Sequence, residues 1–326
     1  MRMGKRMNKS KFWDAVSEAN SIAIAGHIRP DGDCIGSCMG ITRYLRSVYP
    51  EKTITVYLEY MPKSFAYLFQ ADEYEVGFEH LKQADLFIAM DCSDAERLGD
   101  SYTLFEQAKD TVCIDHHISN VGYAKYNFIA PKASSASEVL FEILDEDKLN
   151  KDIATAIYLG MVHDSGVFKY SNTSRRTMEI AGVLIEKGVE TTDLIDKTFY
   201  SKTYKQNQIL GRVLMESILV LDGKVVIGCI SQKVEAFYEA TSEDYEGIVE
   251  QMRITQGVEV AIFLHETSPM VYKVSMRAND MVDVSKIATM FGGGGHIKAA
   301  GCSMSGSYYD VVNALLEQIN NQLQIC

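Results

Sequence analysis

Nothing in this 326-residue chain approaches the 18 or so consecutive apolar residues of a membrane-crossing helix, so a transmembrane segment is not expected. Excess basic charge is missing too. The 32 Lys and Arg are outnumbered by 44 Asp and Glu, and the net charge is −12. A protein that follows long duplex DNA along its phosphates carries a basic surface, which this composition excludes on average while leaving room for a small local anion pocket. No aromatic-basic stripe of the kind that binds single strands is present. The seven cysteines, at 34, 38, 92, 113, 229, 302 and 326, form no CxxC pair. A zinc-thiolate site is therefore disfavoured, and reduced thiols of a cytoplasmic protein fit best. There is no GxSxG elbow and no nucleophile signature around a cysteine, so covalent serine or cysteine catalysis is rejected. Internal repeats and low-complexity segments are absent as well. The first eleven residues, MRMGKRMNKSK, carry five positive charges with no apolar core behind them. They read as a short basic arm, and a secretory signal is not expected.

What is present is ordinary for a globular protein: 47% apolar and 23% charged residues, over a length that suggests two domains. The first half alternates strand and helix. Ser21–His27, Asp85–Cys92 and Thr111–His117 are short apolar runs that end in polar residues, and Thr53–Tyr60 is an alternating strand. Helical patterns fall at Cys34–Val48, Ser135–Leu144, Ile153–His163 and Arg175–Lys187. Runs that are apolar on both faces suit buried parallel strands covered by helices. After about residue 190 the texture changes. Thr203–Met215 reads as a connector helix, Asp222-Gly223 marks a hairpin between Ile218–Leu221 and Val225–Ile230, and a second strand pair surrounds Pro269. Helices are expected at Asp244–Arg253, Val284–Met290 and Tyr308–Gln322. The expected class is α/β. A parallel-sheet domain with helices on both faces (1–195) would be joined by a connector (196–215) to a smaller mixed α/β domain (216–326), with a cleft between them.

Each apolar run of the first half ends in metal-competent side chains. The first delivers His27, Asp31 and Asp33 in HIRPDGD, the second Asp91, the third Asp115, His116 and His117. In an open parallel sheet these tips meet in the crevice beyond the carboxyl ends of the strands. His163-Asp164-Ser165-Gly166 closes a helical pattern and could lean over the same edge. Each piece has a plainer reading: Asp31 and Asp33 as helix caps, His27 and Asp91 as satisfied strand-end polar groups, HDSG as a helix stop at Gly166. Together they place more carboxylates side by side than a site can bury without cations. A pair of divalent metals resolves that conflict. Mixed imidazole and carboxylate donors suit Mn²⁺, Fe²⁺ or Zn²⁺ more than Ca²⁺. His80 and His265 lie outside the pattern and read as structural.

The second half carries Phe291-Gly292-Gly293-Gly294-Gly295-His296, then Ala299-Ala300-Gly301. A four-glycine run can form a nest of backbone amides for an anion, with His296 adding a donor at the start of a following helix. The alternative is a glycine hinge that binds nothing. Arg277, in SMRAN at 275–279, could fork onto a terminal phosphate or stack on a base. Arg97 is a second anion candidate, or else a solvated helix arginine. Ser134, Ser135 and Ser137 read as caps of the helix that follows. The glycine run is not a Walker loop, since no Gly-Lys-Ser/Thr follows it, and no strand leads into a GxGxxG.

Taken together, HIRPDGD at 27–33, Asp91, DHH at 115–117 and HDSG at 163–166 resemble the DHH phosphoesterase superfamily. SMRAN at 275–279 and FGGGGHIKAAG at 291–301 resemble its associated C-terminal domain. The order and spacing match over nearly the whole chain, and the two-domain form looks like the nanoRNase/pAp-phosphatase branch. The resemblance implies a dinuclear site in which His27 and Asp31 hold one metal, Asp33, His116 and Asp164 the other, and Asp91 bridges. Mn²⁺ is the implied ion, with Mg²⁺, Co²⁺ or Fe²⁺ as substitutes. Asp115 would orient the histidines and His117 would meet the scissile phosphate or its attacking water. Arg277, Gly294, Gly295 and His296 would grip the distal nucleotide, with Arg97 as a further phosphate contact. Implied substrates are short single-stranded RNA, linear dinucleotides such as pApA and pGpG, and 3′-phosphoadenosine 5′-phosphate (pAp). Long duplex DNA and membranes are not expected partners, and a homodimer is compatible with the resemblance. Two other outcomes remain open at the level of sequence: an inorganic pyrophosphatase or exopolyphosphatase, and a nucleotide-binding sensor without catalysis.

Overall fold

The computed structural model describes residues 9–323, so Cys326 and most of the basic N-terminal segment lie outside the described residues. The chain divides into two compact units, Met1–Ser201 and Lys202–Cys326. The first begins with α1 (Ser10–Glu18), β1 (Ser21–Ala25), α2 (Gly32–Val48), β2 (Thr53–Leu58), β3 (Glu75–Val76) and β4 (Leu86–Met90). It continues through α3 (Tyr102–Gln107), β5 (Asp110–Asp115), β6 (Tyr126–Ile129), α4 (Ala136–Ile143), α5 (Lys151–Asp164), α6 (Arg175–Glu186) and α7 (Thr191–Ile195). All six strands run parallel in the order β3-β2-β1-β4-β5-β6. Alternate strand residues feed two cores. Ile22, Ile24, Ile88, Met90 and Ile114 face α2, α4 and α5, whereas Ala23, Ala25, Phe87 and Cys113 pack with Leu104 of α3. Burial on both faces is why these runs are apolar without alternation.

The strand order reverses direction between β1 and β4. Chain leaving β1 proceeds toward β2, chain leaving β4 proceeds toward β5, and the crevice between them is where a doubly wound sheet receives a ligand. The HIRPDGD segment leaves β1 at this point and its Asp31 caps α2, accepting from Asp33 N and Cys34 N at 3.1 Å each.

The second unit contains α8 (Tyr204–Glu216), β7 (Ile218–Val220), β8 (Val225–Ile230), α9 (Gln232–Tyr238), α10 (Ile248–Arg253), β9 (Val260–Ser268) and β10 (Val271–Ala278). After these come α11 (Val284–Met290), β11 (Gly294–His296), β12 (Ala299–Ser305) and α12 (Tyr308–Leu323). Its mixed sheet runs β11-β12-β10-β9-β8-β7, with β8 and β9 parallel and the other neighbours antiparallel. One face packs on α11 and α12. The other is covered by α8 and α10 through Ile209, Val213, Ile248 and Met252 against Val226, Ala261 and Phe263. The helix Tyr204–Glu216 thus contributes Ile209 and Val213 to the core of this unit. No disulfide joins the described cysteines, and no described helix is long and apolar enough to cross a membrane.

Helices α2 and α5 cross with almost no side-chain spacing. A Cβ on Gly36 would stand 2.6 Å from both Ala156 O and Gly160 N, backbone atoms with nowhere to go. Gly36→Ala is therefore expected to destabilise the fold by roughly 1–3 kcal/mol, the usual cost of overpacking, read as a lowered midpoint in urea unfolding.

Candidate metal centre

The carboxyl ends of β1, β4 and β5 carry the polar tips. His27 follows β1 and is buried. Its Nδ1–H donates to the Ile28 carbonyl at 2.8 Å, which fixes the tautomer and frees Nε2. That Nε2 lies 3.7 Å from Asp31 Oδ2 and 3.6 Å from Asp91 Oδ2. Asp91, one residue past β4, is 2% exposed and holds a left-handed backbone at φ 51°, a conformation a non-glycine residue keeps only where its surroundings impose it. Its Oδ1 is buried with no hydrogen-bond partner among the described residues, yet His116 Nε2 and His117 Nδ1 each stand 3.6 Å away. Asp33, in the first turn of α2, reaches the start of α4, where its two oxygens accept from Ala136 N at 2.5 Å and Ser137 N at 3.0 Å. Helix N-termini favour such an anion. Asp164, the last residue of α5, places Oδ2 3.2 Å from His116 Nε2.

Three groups of potential ligands result: His27, Asp31 and Asp91; Asp91, His116 and His117; Asp33, His116 and Asp164. Within each group the donor atoms lie within 4.8 Å of one another. Asp91 and His116 each belong to two groups, so the three form one continuous cluster. Behind it Asp115, fully buried, accepts from His117 Nδ1 at 2.7 Å, from His116 N at 2.8 Å and from Asn120 Nδ2 at 2.6 Å. Burial alone would raise the Asp115 carboxyl, but these donors, His117 first, hold it below the ordinary range.

The other acids behave in the opposite way. Burial, then the charge of Asp33, pushes Asp91 far above a normal carboxylate. Asp33 is raised by burial despite His116. Asp164 is lifted to about 8 by burial and then by Asp33 and Asp31. Burial opposes a charge on His27, but Asp31 and Asp91 outweigh it and raise the imidazole to about 11. Without cations the cluster holds protons where positive charge is needed. Oxygen and imidazole donors, an unpaired buried carboxylate oxygen and no thiolate among them fit divalent metal ions.

Several residues outside this cluster answer the sequence reading. His163, beside Asp164, points away. Its Nε2 donates to Thr198 Oγ1 at 3.0 Å, its ring packs between Phe65 and Phe199, and burial lowers it to about 4. Gly166, at φ 57°, does stop α5, so the helix-stop reading holds while Asp164 of the same segment faces His116. Arg97 lies half-exposed in a 3-10 turn, Ala95–Ser101, whose Arg97 carbonyl accepts from Ile28 N at 2.8 Å. Ser135 caps α4 as expected, accepting from Glu138 N at 3.0 Å. His80 is exposed, and His265 pairs with Glu235 against the Tyr245 ring. Sequence reasoning missed Asn120, which reads as a loop asparagine before Gly122, and the α4 amides, which have no side-chain signature.

The glycine run needs a correction. Gly294–His296 is the exposed edge strand β11 rather than the approach to a helix, and α11 precedes it. Gly292 N and Gly293 N are already spent on the carbonyls of Thr289 and Ala288, at 3.1 and 2.8 Å, so they form no open nest. The reason is packing: a Cβ on Gly293 would strike the Gly301 carbonyl and Cys302, so the run lies flat on β12. Register supplies what the sequence could not. His296 pairs with Ala299, and Ala299 with Arg277, so all three project to one face of the sheet. Gly294, Gly301 and Ser275 form the next row on that face. Arg277 and His296 thus frame a shallow floor of small residues beside α10, with Glu250 Oε2 3.9 Å from Arg277 Nε.

With this geometry in view, comparison with known proteins is decisive. Residues 21–161 match the DHH family N-terminal domain and residues 222–324 match the DHHA1 domain. The bifunctional oligoribonuclease and PAP phosphatase NrnA of Mycoplasma pneumoniae is 30% identical over 319 residues, covering 92% of each chain. The chain belongs to the DHH family. The Thermus thermophilus protein of the same name is 28% identical over 307 residues, 91% of this chain and 90% of that one. An exopolyphosphatase-related protein from Bacteroides fragilis shares the fold, with a TM-score of 0.88, 23% identity and 98% of each chain covered. DHH phosphoesterases are metal-dependent, and the clusters above are where this member could hold metal.

The raised groups give the metal-free protein a defined pH response. Between pH 6.5 and 8 the folded state binds more protons than the unfolded state at both Asp164 and His27. Stability of chelator-treated protein therefore falls as pH rises through that window, and bound metal flattens the slope. Thermal unfolding across the window, with and without chelator, checks this.

Proposed function

We propose that this chain is a phosphoesterase that hydrolyses short oligoribonucleotides and linear dinucleotides such as pApA and pGpG to mononucleotides, and pAp to AMP. The carrying observation is the buried, unpaired Asp91 Oδ1 between two imidazoles, in a cluster continuous from His27 to Asp164. The relatives named as bifunctional oligoribonuclease and PAP phosphatase, matched over nine-tenths of their length, support the choice of substrate.

In this reading His27 and Asp31 would hold one Mn²⁺, Asp33, His116 and Asp164 would hold a second, and Asp91 would serve both. Such ions, when bound, would supply Lewis acidity to the attacking water and the phosphoryl group. The protein does the rest. The α4 amides and the Ile28 carbonyl keep Asp33 and His27 in place. Asp115 holds the Nδ1–H of His117, leaving Nε2 to meet the scissile phosphate or move a proton. The open face of the second sheet, through Arg277, Gly294 and His296, binds the distal nucleotide, with Gly295, whose position faces the other side beside Ala300, contributing only backbone at the edge strand, and Arg97 contributes a phosphate contact. Residues 1–195 thus carry the reaction and 216–326 the choice of substrate. Anchoring the far end turns binding into orientation, which favours substrates a few nucleotides long. A cytoplasmic location and a homodimer belong to the same reading.

The test is a panel of pAp, linear and cyclic dinucleotides, RNAs of increasing length and pyrophosphate, assayed with Mn²⁺-loaded enzyme. Fastest turnover of pyrophosphate would overturn the proposal. Asp91→Ala is expected to remove bound metal and lower turnover at least about 10³-fold, and near-normal Mn²⁺ activity in that variant would refute the bridge. Arg277→Ala is expected to harm dinucleotide cleavage far more than hydrolysis of bis(p-nitrophenyl) phosphate. Equal losses would remove Arg277 from substrate binding.

A further inference from the structure

Asn172 lies eight residues beyond Asp164, in the segment between α5 and α6, and belongs to none of the ligand groups. Its Nδ2 donates to two carbonyl oxygens, that of Asp164 at 3.1 Å and that of Ser134 at 2.9 Å. Both partners are acceptors, so only the NH₂ side of the amide can face them. Its own Oδ1 is buried with no partner among the described residues, which leaves the pair of donors as the chemistry this residue supplies.

The two carbonyls matter because of what they carry. At the end of α5, Ser165 N meets Met161 O, Val167 N meets Val162 O and Gly166 N meets His163 O. The carbonyl of Asp164, the last of the helix, is met by Asn172 among the described residues. Ser134 immediately precedes the Ser135 cap of α4, the helix whose Ala136 and Ser137 amides hold the Asp33 carboxylate. Other bonds brace the same corner. Glu138 Oε2 accepts from Ser134 N at 3.1 Å, Ser134 Oγ at 2.6 Å and Thr177 Oγ1 at 2.7 Å. One side-chain amide therefore ties the helix end that presents Asp164 to the helix start whose amides hold the Asp33 carboxylate. These two carboxylates and His116 make up one of the three ligand groups, the one without Asp91. Neither of these bonds of Asn172 reaches the loop of His27 and Asp31.

We infer that Asn172 is a positioning residue for one metal position, the one formed by Asp33, His116 and Asp164, and that it sets the spacing of the two carboxylates there. This rests on the metal reading proposed above. Asn172→Asp keeps the shape but turns an oxygen toward two carbonyl oxygens, and Asn172→Ala removes both bonds without repulsion. The two positions should then part company. Partners of this kind typically change metal affinity about 10–100-fold when lost.

The experiment is calorimetric titration of metal-free wild-type, Asn172→Ala and Asn172→Asp protein with Mn²⁺, backed by metal analysis and by melting of each metal-free protein. The expected result is two Mn²⁺ per wild-type chain. In the variants one equivalent is retained at near-wild-type affinity and the other weakened about 10–100-fold, more by Asp than by Ala, and the Mn²⁺ needed for half-maximal activity rises in parallel. Unchanged affinities in both variants would overturn the inference. So would equal weakening of both equivalents in step with a lowered melting temperature, the mark of a merely structural role. Wild-type protein that takes up no metal would instead overturn the reading on which the inference stands.

Discussion

Burying several carboxylates side by side is the constraint from which the rest of this molecule follows. Asp33 and Asp91 are almost wholly removed from solvent, and Asp115 and Asp164 stand close by. Clustered anions in a low-dielectric setting either take up protons or take up cations. The raised pKa values of Asp91 and Asp164, and of the His27 between two acids, are the proton-bound answer. Metal ions are the other answer, and the donor set is built for them.

The surrounding fold can be understood as the means of holding that tension. Backbone amides at the start of α4 are aimed at Asp33, and the Asp91 backbone is kept left-handed by its place between β4 and the chain that follows. Glycines allow the approach. At Gly160 a Cβ would stand 2.5 Å from Asp33 Oδ1, so the close crossing of α2 and α5 is also part of the site. Asn120 and Asn172 add neutral donors where another charge would make matters worse. The groups that bear charge are few, and the groups that aim them are spread over the whole first unit.

The second unit solves a different problem with less charge. Its sheet keeps one face covered and leaves part of the other as a floor of Gly294, Ala299 and Gly301 edged by Arg277 and His296. A net charge of −12 is compatible with binding a short anionic chain because only this frame and the cluster need local positive charge. In the proposed function, small residues on the floor would let a flat ring or a sugar-phosphate come close to the backbone.

Sequence alone determined the strand tips, because runs apolar on both faces must be buried and their polar ends must emerge together at one edge. The convergence of His27, Asp31, Asp33, Asp91, His116 and His117 was legible that way, Asp164 from the end of a helical pattern, and the α/β class from the alternation of strand and helix. What only the tertiary structure decided is which plain alternatives coexist with the functional ones. Asp31 is both a helix cap and a neighbour of His27, and HDSG is both a helix stop and the source of Asp164. Packing sent His163 into an aromatic pocket and laid the glycine run down as an edge strand instead of a helix approach. Strand register, invisible in a linear pattern, put Arg277 and His296 on one face. The contacts of Asn120 and Asn172 were illegible for the same reason: a side-chain amide in a loop looks alike in sequence whether it meets water, the Asp115 carboxylate or the Asp164 carbonyl.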